Sequence, residues 1–135
     1  MINPIEHSRT KDSANKYKVE PYVIPADIYG EGNLAGRGGW TWYTGSSSWY
    51  YKTGIEYILG LKFEKGILKI KPCIPNSWKE YSIKYQWKES LYNIKVENTN
   101  GKNTGITKIL LNGNEVENNI KLDGTRNIYN INVIM

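Results

Sequence analysis

The chain has 135 residues, 39% of them hydrophobic and 13% aromatic, which suits one ordinary domain or two small pieces and excludes a large multidomain enzyme or wholesale disorder. One cysteine, Cys73, excludes a disulfide framework and a cysteine zinc site, and one histidine, His7, leaves too few ligands for most catalytic metals. The formal net charge of +5 comes from lysines scattered singly among alternating isoleucines, which describes a solvated sheet face and ranks nucleic-acid binding last among the functions considered.

The start, MINPIEHSRT, is polar and lacks the apolar core of a signal peptide. No run approaches the roughly 18 apolar residues of a membrane helix, so a soluble, cytoplasmic chain is expected. Residues 12–29 predict a helix with breaks: Asp12 and Ser13 offer caps, and Val19, Tyr22, Val23 and Ala26 fall at helical spacing, while Pro21 and Pro25 interrupt it. Residues 30–39, GEGNLAGRGG, are too rich in glycine for a regular element and predict a loop that brings backbone close to something. It is not a nucleotide-binding loop, since the Lys-Ser or Lys-Thr of that motif is missing. Residues 46–59 predict a buried helix, with Tyr51, Ile55, Ile58 and Leu59 on one face, Thr44 to Ser47 capping its start and Gly60 ending it. Such a helix is apolar nearly all round, and this chain offers one other candidate helix to cover it.

From Leu61 the period changes to two. LKFE, ILKIKPCI, YSIKYQW, LYNIKVEN, ITKILL, IKL and NIYNINVI are short alternating runs, separated by turn signals at Lys65-Gly66, Asn100-Gly101, Asn112-Gly113 and Asp123-Gly124. That pattern predicts an antiparallel sandwich of six or seven strands. Pro72 and Pro75 end or bend the strand at Cys73, whose thiol is expected to be buried and inert.

Few residues suggest chemistry. His7 reads as a loop histidine more readily than as a base, and Glu20, Asp27 and Glu31 do not declare themselves as an acid and base pair. The segment from Gly36 to Ser46 says more. Unpaired N–H groups at a helix start, with Gly45 allowing close approach and Thr44 and Ser46 adding hydroxyls, make an anion site. Arg37 offers a charged donor there, and Trp40 or Trp42 an aromatic face for a sugar. The competing reading, in which the tryptophans are core and Thr44 is a simple cap, is open at this level.

The same residues carry a resemblance. Glu20-Pro21-Tyr22-Val23, the run Gly36-Arg37-Gly38-Gly39-Trp40-Thr41-Trp42-Tyr43-Thr44-Gly45-Ser46, Glu56-Tyr57-Ile58-Leu59-Gly60-Leu61, and Pro72-Cys73-Ile74-Pro75 with Trp78 resemble the C-terminal end of glycoside hydrolase family 94. That family includes inverting glycoside phosphorylases and the C-terminal region of cyclic β-1,2-glucan synthases, and the Asn3-Pro4-Ile5 start with His7 is closer to the glucan branch. The resemblance implies an α+β chain: residues 1–60 as terminal helices of an (α/α)6 barrel, and residues 61–135 as a jelly-roll-like antiparallel β-sandwich. It implies Thr44 and Gly45 as phosphate contacts, with Arg37, Trp40, Trp42 and Ser46 as walls of the substrate site.

Inorganic phosphate would be the co-substrate, with no other cofactor and no metal. The partners implied are a β-linked oligosaccharide or β-glucan, and either a second copy or an upstream remainder of the barrel. The family's general acid and its phosphate-binding histidine have no counterpart here, and His7 does not match that histidine's motif. The isolated chain is therefore expected to be a fragment with no catalytic residue and no turnover. A different class of function, a free-standing carbohydrate-binding sandwich, would use Trp78, Tyr85 and Trp87 as stacking platforms.

Overall fold

The structure is a computed structural model that describes residues 3–42 and 44–135, without the side chain of Thr44. Two compact units divide it, residues 1–53 and 54–135. No helix among the described residues is long and apolar enough to cross a membrane.

In the first unit, Asn3 caps α1 (Pro4–His7) and Thr10 caps α2 (Lys11–Tyr17). The second cap is reciprocal: Ser13 N–H donates to Thr10 Oγ1 and Thr10 N–H to Ser13 Oγ, both at 3.1 Å. The broken helix expected over 12–29 is corrected here. Lys18 turns left-handed (φ 55°) and closes α2 after Tyr17, and the prolines at 21 and 25 keep the chain from resuming it.

Tyr17 is buried and stacks on His7 with ring centroids 4.7 Å apart. The glycine-rich stretch is also more regular than expected. β1 (Asp27–Ile28) and β2 (Gly38–Gly39) pair antiparallel across it, and a 3-10 turn (Gly32–Leu34) fills its tip. α3 (Thr44–Lys52) follows.

A π turn, Thr53–Ile58, starts on the last residue of the first unit, and within the second Leu59 N–H donates to Gly54 C=O at 2.9 Å. The helix expected over 46–59 is thus an α-helical segment continued by a wider turn. Gly60 (φ 78°) ends it, as its position predicts. β3 (Leu61–Glu64), β4 (Ile67–Ile70) and β9 (Ile120–Lys121) form one antiparallel sheet in the order β3-β4-β9. β5 (Glu80–Trp87), β6 (Ser90–Glu97), β7 (Lys108–Leu111), β8 (Asn114–Glu115) and β10 (Ile128–Ile134) form a second, in the order β5-β6-β10-β7-β8.

The expected strands are present, but the second sheet is not wholly antiparallel. β10 runs parallel to β6, from Ile128 opposite Leu91 to Ile134 opposite Glu97. The long connection between them, which carries β7 to β9, allows that return. Both residues of Lys65-Gly66 and of Asn112-Gly113 have positive φ, which matches the twist of a tight hairpin.

Tyr92, Ile94 and Val96 of β6, Ile131 and Val133 of β10, Ile109 of β7 and Leu61, Leu68, Ile70 and Ile120 of the smaller sheet form one buried apolar cluster. On β5, Tyr81, Ile83, Tyr85 and Trp87 pack against it, and Tyr85 stacks on Phe63 at 4.3 Å. Tyr85 and Trp87 are therefore core-facing and are not outward platforms, while Trp78 stays partly exposed. The opposite faces of β5 and β6 carry Lys84 and Lys95, the latter bridging Glu80 and Glu97 at 3.1 and 2.9 Å, as a solvated sheet face would.

Cys73 is a further correction. Pro72 and Ile74 take the buried positions on either side, so the thiol between them is exposed.

Candidate functional site

In the first unit, the start of α3 and the turns before it enclose an open cleft of about 520 Å³. Ser46, Trp49, Tyr50 and Thr53 line it at i, i+3, i+4 and i+7, the spacing of one helical face, and Gly45, Trp40, Ile24 and Ala26 complete it. Trp40, Gly45 and Ser46 are thus brought together.

Thr44 begins α3, but its side chain and Tyr43 lie outside the described residues. Trp42 does not line the cleft; it is mostly exposed and meets Tyr22 edge-on, with centroids 6.4 Å apart. Arg37 lines a different and smaller cleft, beside Lys16 and Lys18. Trp49, Tyr50 and Thr53 were not singled out as site residues, although their spacing from Ser46 was available in the sequence.

The backbone is strained beside this cleft. Trp40 and Trp42 have φ of 51° and 63°, a region costly for bulky side chains, and such outliers gather where a site holds its residues in place. Ala26 N–H is shared between the carbonyls of Gly39 and Trp40, at 3.2 Å each, and ties Trp40 to the cleft floor.

No acidic residue stands in the first turn of α3. Its N-terminal N–H groups lack helical partners and carry the positive end of the helix dipole. A Cβ built on Gly45 would have no atom within 4 Å, so the approach is open. The lining can stack against an apolar ring face and donate hydrogen bonds, and among the described residues it contains no carboxylate, lysine or histidine.

Glu20, Asp27 and Glu31 are exposed and do not line this cleft. Among the described residues no His, Cys, Asp and Glu side chains gather in a group that could hold a metal ion.

The second unit holds the more perturbed groups, and they act on folding. The Tyr129 hydroxyl, then that of Thr125, donates to the Asp123 carboxylate and holds its pKa down at about 2. The Tyr92 hydroxyl donates to Asp123 C=O at 2.9 Å and accepts from Asp123 N–H at 2.6 Å, so this cluster fixes the loop before β10. Burial pushes the Tyr81 hydroxyl up while it donates to Leu59 C=O at 2.8 Å.

Residues 1–60 match the family described as glycosyl hydrolase 94 superfamily, catalytic domain, and residues 61–126 match glycosyl hydrolase family 65, C-terminal domain. The cyclic beta-(1,2)-glucan synthase NdvB of Rhizobium meliloti is 49% identical over 96 residues, which are 71% of this chain and 3% of that protein. The N,N'-diacetylchitobiose phosphorylase of Vibrio furnissii is 34% identical over 116 residues, 78% of this chain and 14% of the relative. The solabiose phosphorylase of Paenibacillus borealis is 28% identical over 119 residues, 87% of this chain and 14% of the relative. The chain therefore spans a small part of each.

Proposed function

Over residues 1–60 the chain belongs to the glycoside hydrolase 94 superfamily, and we propose on that premise that its cleft is one wall of a glycoside phosphorylase site acting on β-linked glucan or oligosaccharide. The observation that supports this most is the joining of Trp40, Trp49, Gly45 and Ser46 in one cleft at the start of α3, inside the matched residues. In this reading the N–H groups and hydroxyls at Thr44, Gly45 and Ser46 receive inorganic phosphate, and the tryptophans receive a sugar face. Residues 1–60 are the last helices of an (α/α)6 barrel and residues 61–135 a jelly-roll-like sandwich. The setting is cytoplasmic, and phosphate is the co-substrate with no further cofactor.

In phosphorolysis, a phosphate oxygen bonds to the anomeric carbon as the glycosidic bond breaks, and an acid protonates the departing oxygen. Among the described residues this cleft holds no carboxylic acid, so the chain alone is inactive in this reading, and the remaining walls come from further helices of the barrel.

The test incubates the full chain with β-1,2-linked gluco-oligosaccharides and phosphate and measures glucose 1-phosphate. No release is expected, and robust release would overturn the reading. Phosphate titration of the 15N-labelled chain should move the amides of Gly45 and Ser46, and immobile amides there count equally against it. A free-standing carbohydrate-binding role is weaker, because two of its three platforms, Tyr85 and Trp87, pack on the core.

A further inference from the structure

We propose that the first unit carries a second anion site, built by Lys16, Lys18 and Arg37, and that its ligand is a phosphoryl dianion. These three residues, with Asn15 and Asn33, line a cleft of about 270 Å³. It shares no residue with the Trp40–Ser46 cleft and does not depend on the function proposed for that one.

Two separate stretches of chain build it. Lys16 and Lys18 stand at the C-terminal end of α2, and Asn33 and Arg37 come from the loop between β1 and β2. Gly36 joins them. It has φ of 86°, and a Cβ placed there would lie 2.5 Å from Lys16 Cε and 3.2 Å from Lys16 Nζ. The Lys16 stem therefore crosses the bare Gly36 backbone and delivers its ammonium to the Arg37 loop. That loop is held by Gly36 N–H donating to Tyr29 C=O at 2.7 Å and Arg37 N–H to Leu34 C=O at 2.9 Å.

Lysines at a helix C-terminus are favourable to the dipole by themselves, which would account for Lys16 and Lys18. It does not account for Arg37, which arrives from another segment and adds a third like charge. No carboxylate lines the cleft, and none of the three cations has an ion-pair partner among the described residues. Like charges on a concave surface repel one another, and the same geometry concentrates anions.

The donor set selects the class of anion. The Arg fork matches two oxygens of a tetrahedral oxyanion, the lysines add point charges, and the amides add neutral donors. A carboxylate, with one charge and two oxygens, would leave part of this set unused. The volume suits a phosphoryl group and is below the roughly 300–1,000 Å³ typical of larger ligands.

Inorganic phosphate and the phosphoryl group of a hexose 1-phosphate share this chemistry, so the 15N-labelled full chain is titrated with each at constant ionic strength. Saturable amide shifts are expected from Asn15 to Lys18 and from Asn33 to Arg37. Arg37→Gln and Lys16→Gln should each weaken binding at least about tenfold, while Lys121→Gln, which removes the same charge elsewhere, leaves it unchanged. Tighter binding of glucose 1-phosphate assigns the sugar phosphate, and equal or weaker binding assigns inorganic phosphate. Shifts absent from these residues in both arms, spread evenly over surface lysines, or saturating with unchanged affinity in Arg37→Gln overturn the proposal. Shifts confined to Gly45 and Ser46 overturn it too, while leaving the other cleft's reading intact.

Discussion

Replacing Asn98 by Ala tests how the β unit holds its least regular crossing. Asn98 is 0% exposed, and its amide donates to the carbonyls of Trp78 (3.1 Å) and Lys102 (2.8 Å) while accepting from Lys102 N–H (2.8 Å). One side chain therefore satisfies three backbone groups around the Asn100-Gly101 turn. A net contribution of about 1 kcal/mol per bond gives a loss of about 3 kcal/mol. For a cooperative unit of 60–100 residues that lowers Tm by roughly 12–24 °C.

The assay is thermal unfolding of the full chain by circular dichroism, with urea unfolding as a second measure. Asn98→Asp discriminates further: it keeps an acceptor for Lys102 N–H and turns a carboxylate toward two carbonyls, so it should be at least as harmful at neutral pH. Asn100→Ala, which loses a single bond of 3.3 Å to Met135 C=O, is the mild control. A fall below about 4 °C for Asn98→Ala, or equal falls for Asn98→Ala and Asn100→Ala, would refute the reasoning.

Other consequences are open to the same melts. The folded pKa of Asp123 lies below its ordinary value, at about 2, so its contribution is full above pH ~4 and lost as pH falls from about 4 to 2; Asp123→Asn should flatten that acid limb of the urea midpoint. Burial raises the Tyr81 pKa, so its contribution is full below pH ~10 and lost at higher pH, and Tyr81→Phe should unfold less steeply with alkali than the parent. Gly60→Ala forces a left-handed alanine and a Cβ 2.2 Å from the backbone of Lys71, so a loss above about 2 kcal/mol is expected, and an unchanged melt would contradict the placement. Trp49→Ser with Tyr51→Ser should reduce binding of an apolar dye, since these side chains are 69% and 72% exposed, and an unaltered dye signal would show that this surface does not take it up.

The β unit was readable from sequence because each strand repeats one statement, a buried side chain at every second residue, and because Lys65-Gly66 and Asn112-Gly113 permit the tight turn. Direction was not readable. Ile131 and Val133 alternate in the same way whether β10 runs parallel or antiparallel to β6, so the parallel pair emerged only from the path of the chain. The helix beyond Tyr17 failed for a local reason: Val19, Tyr22, Val23 and Ala26 mimic helical spacing, but Lys18 has already turned left-handed. At the candidate site, Gly45 and Ser46 were legible as a helix start, and Trp49, Tyr50 and Thr53 could have been found from their common face. The cleft that Arg37 lines was not legible. The neighbours of Arg37 there, Lys16 and Lys18, lie some twenty residues away and meet it only because β1 and β2 close the loop between them.

Two features of the first unit have one explanation in the proposed function. Isolated exposed hydrophobic side chains are ordinary. Trp40, Trp42, Trp49 and Tyr51, however, crowd a single short segment and are each about 70% exposed, while the second unit buries Tyr92 and its aliphatic neighbours almost completely. An aromatic wall left open to water and a cleft able to receive an anion and a sugar, with no carboxylate, lysine or histidine among its described lining residues, are what part of a barrel site would present. A self-sufficient binding module would be expected to cover the first feature, and a self-sufficient enzyme to supply what the second lacks. On that proposal, barrel helices supplied in trans should change both together, protecting Trp49 from an aqueous quencher and giving phosphorolysis. Protection without activity would separate the aromatic wall from the catalytic reading.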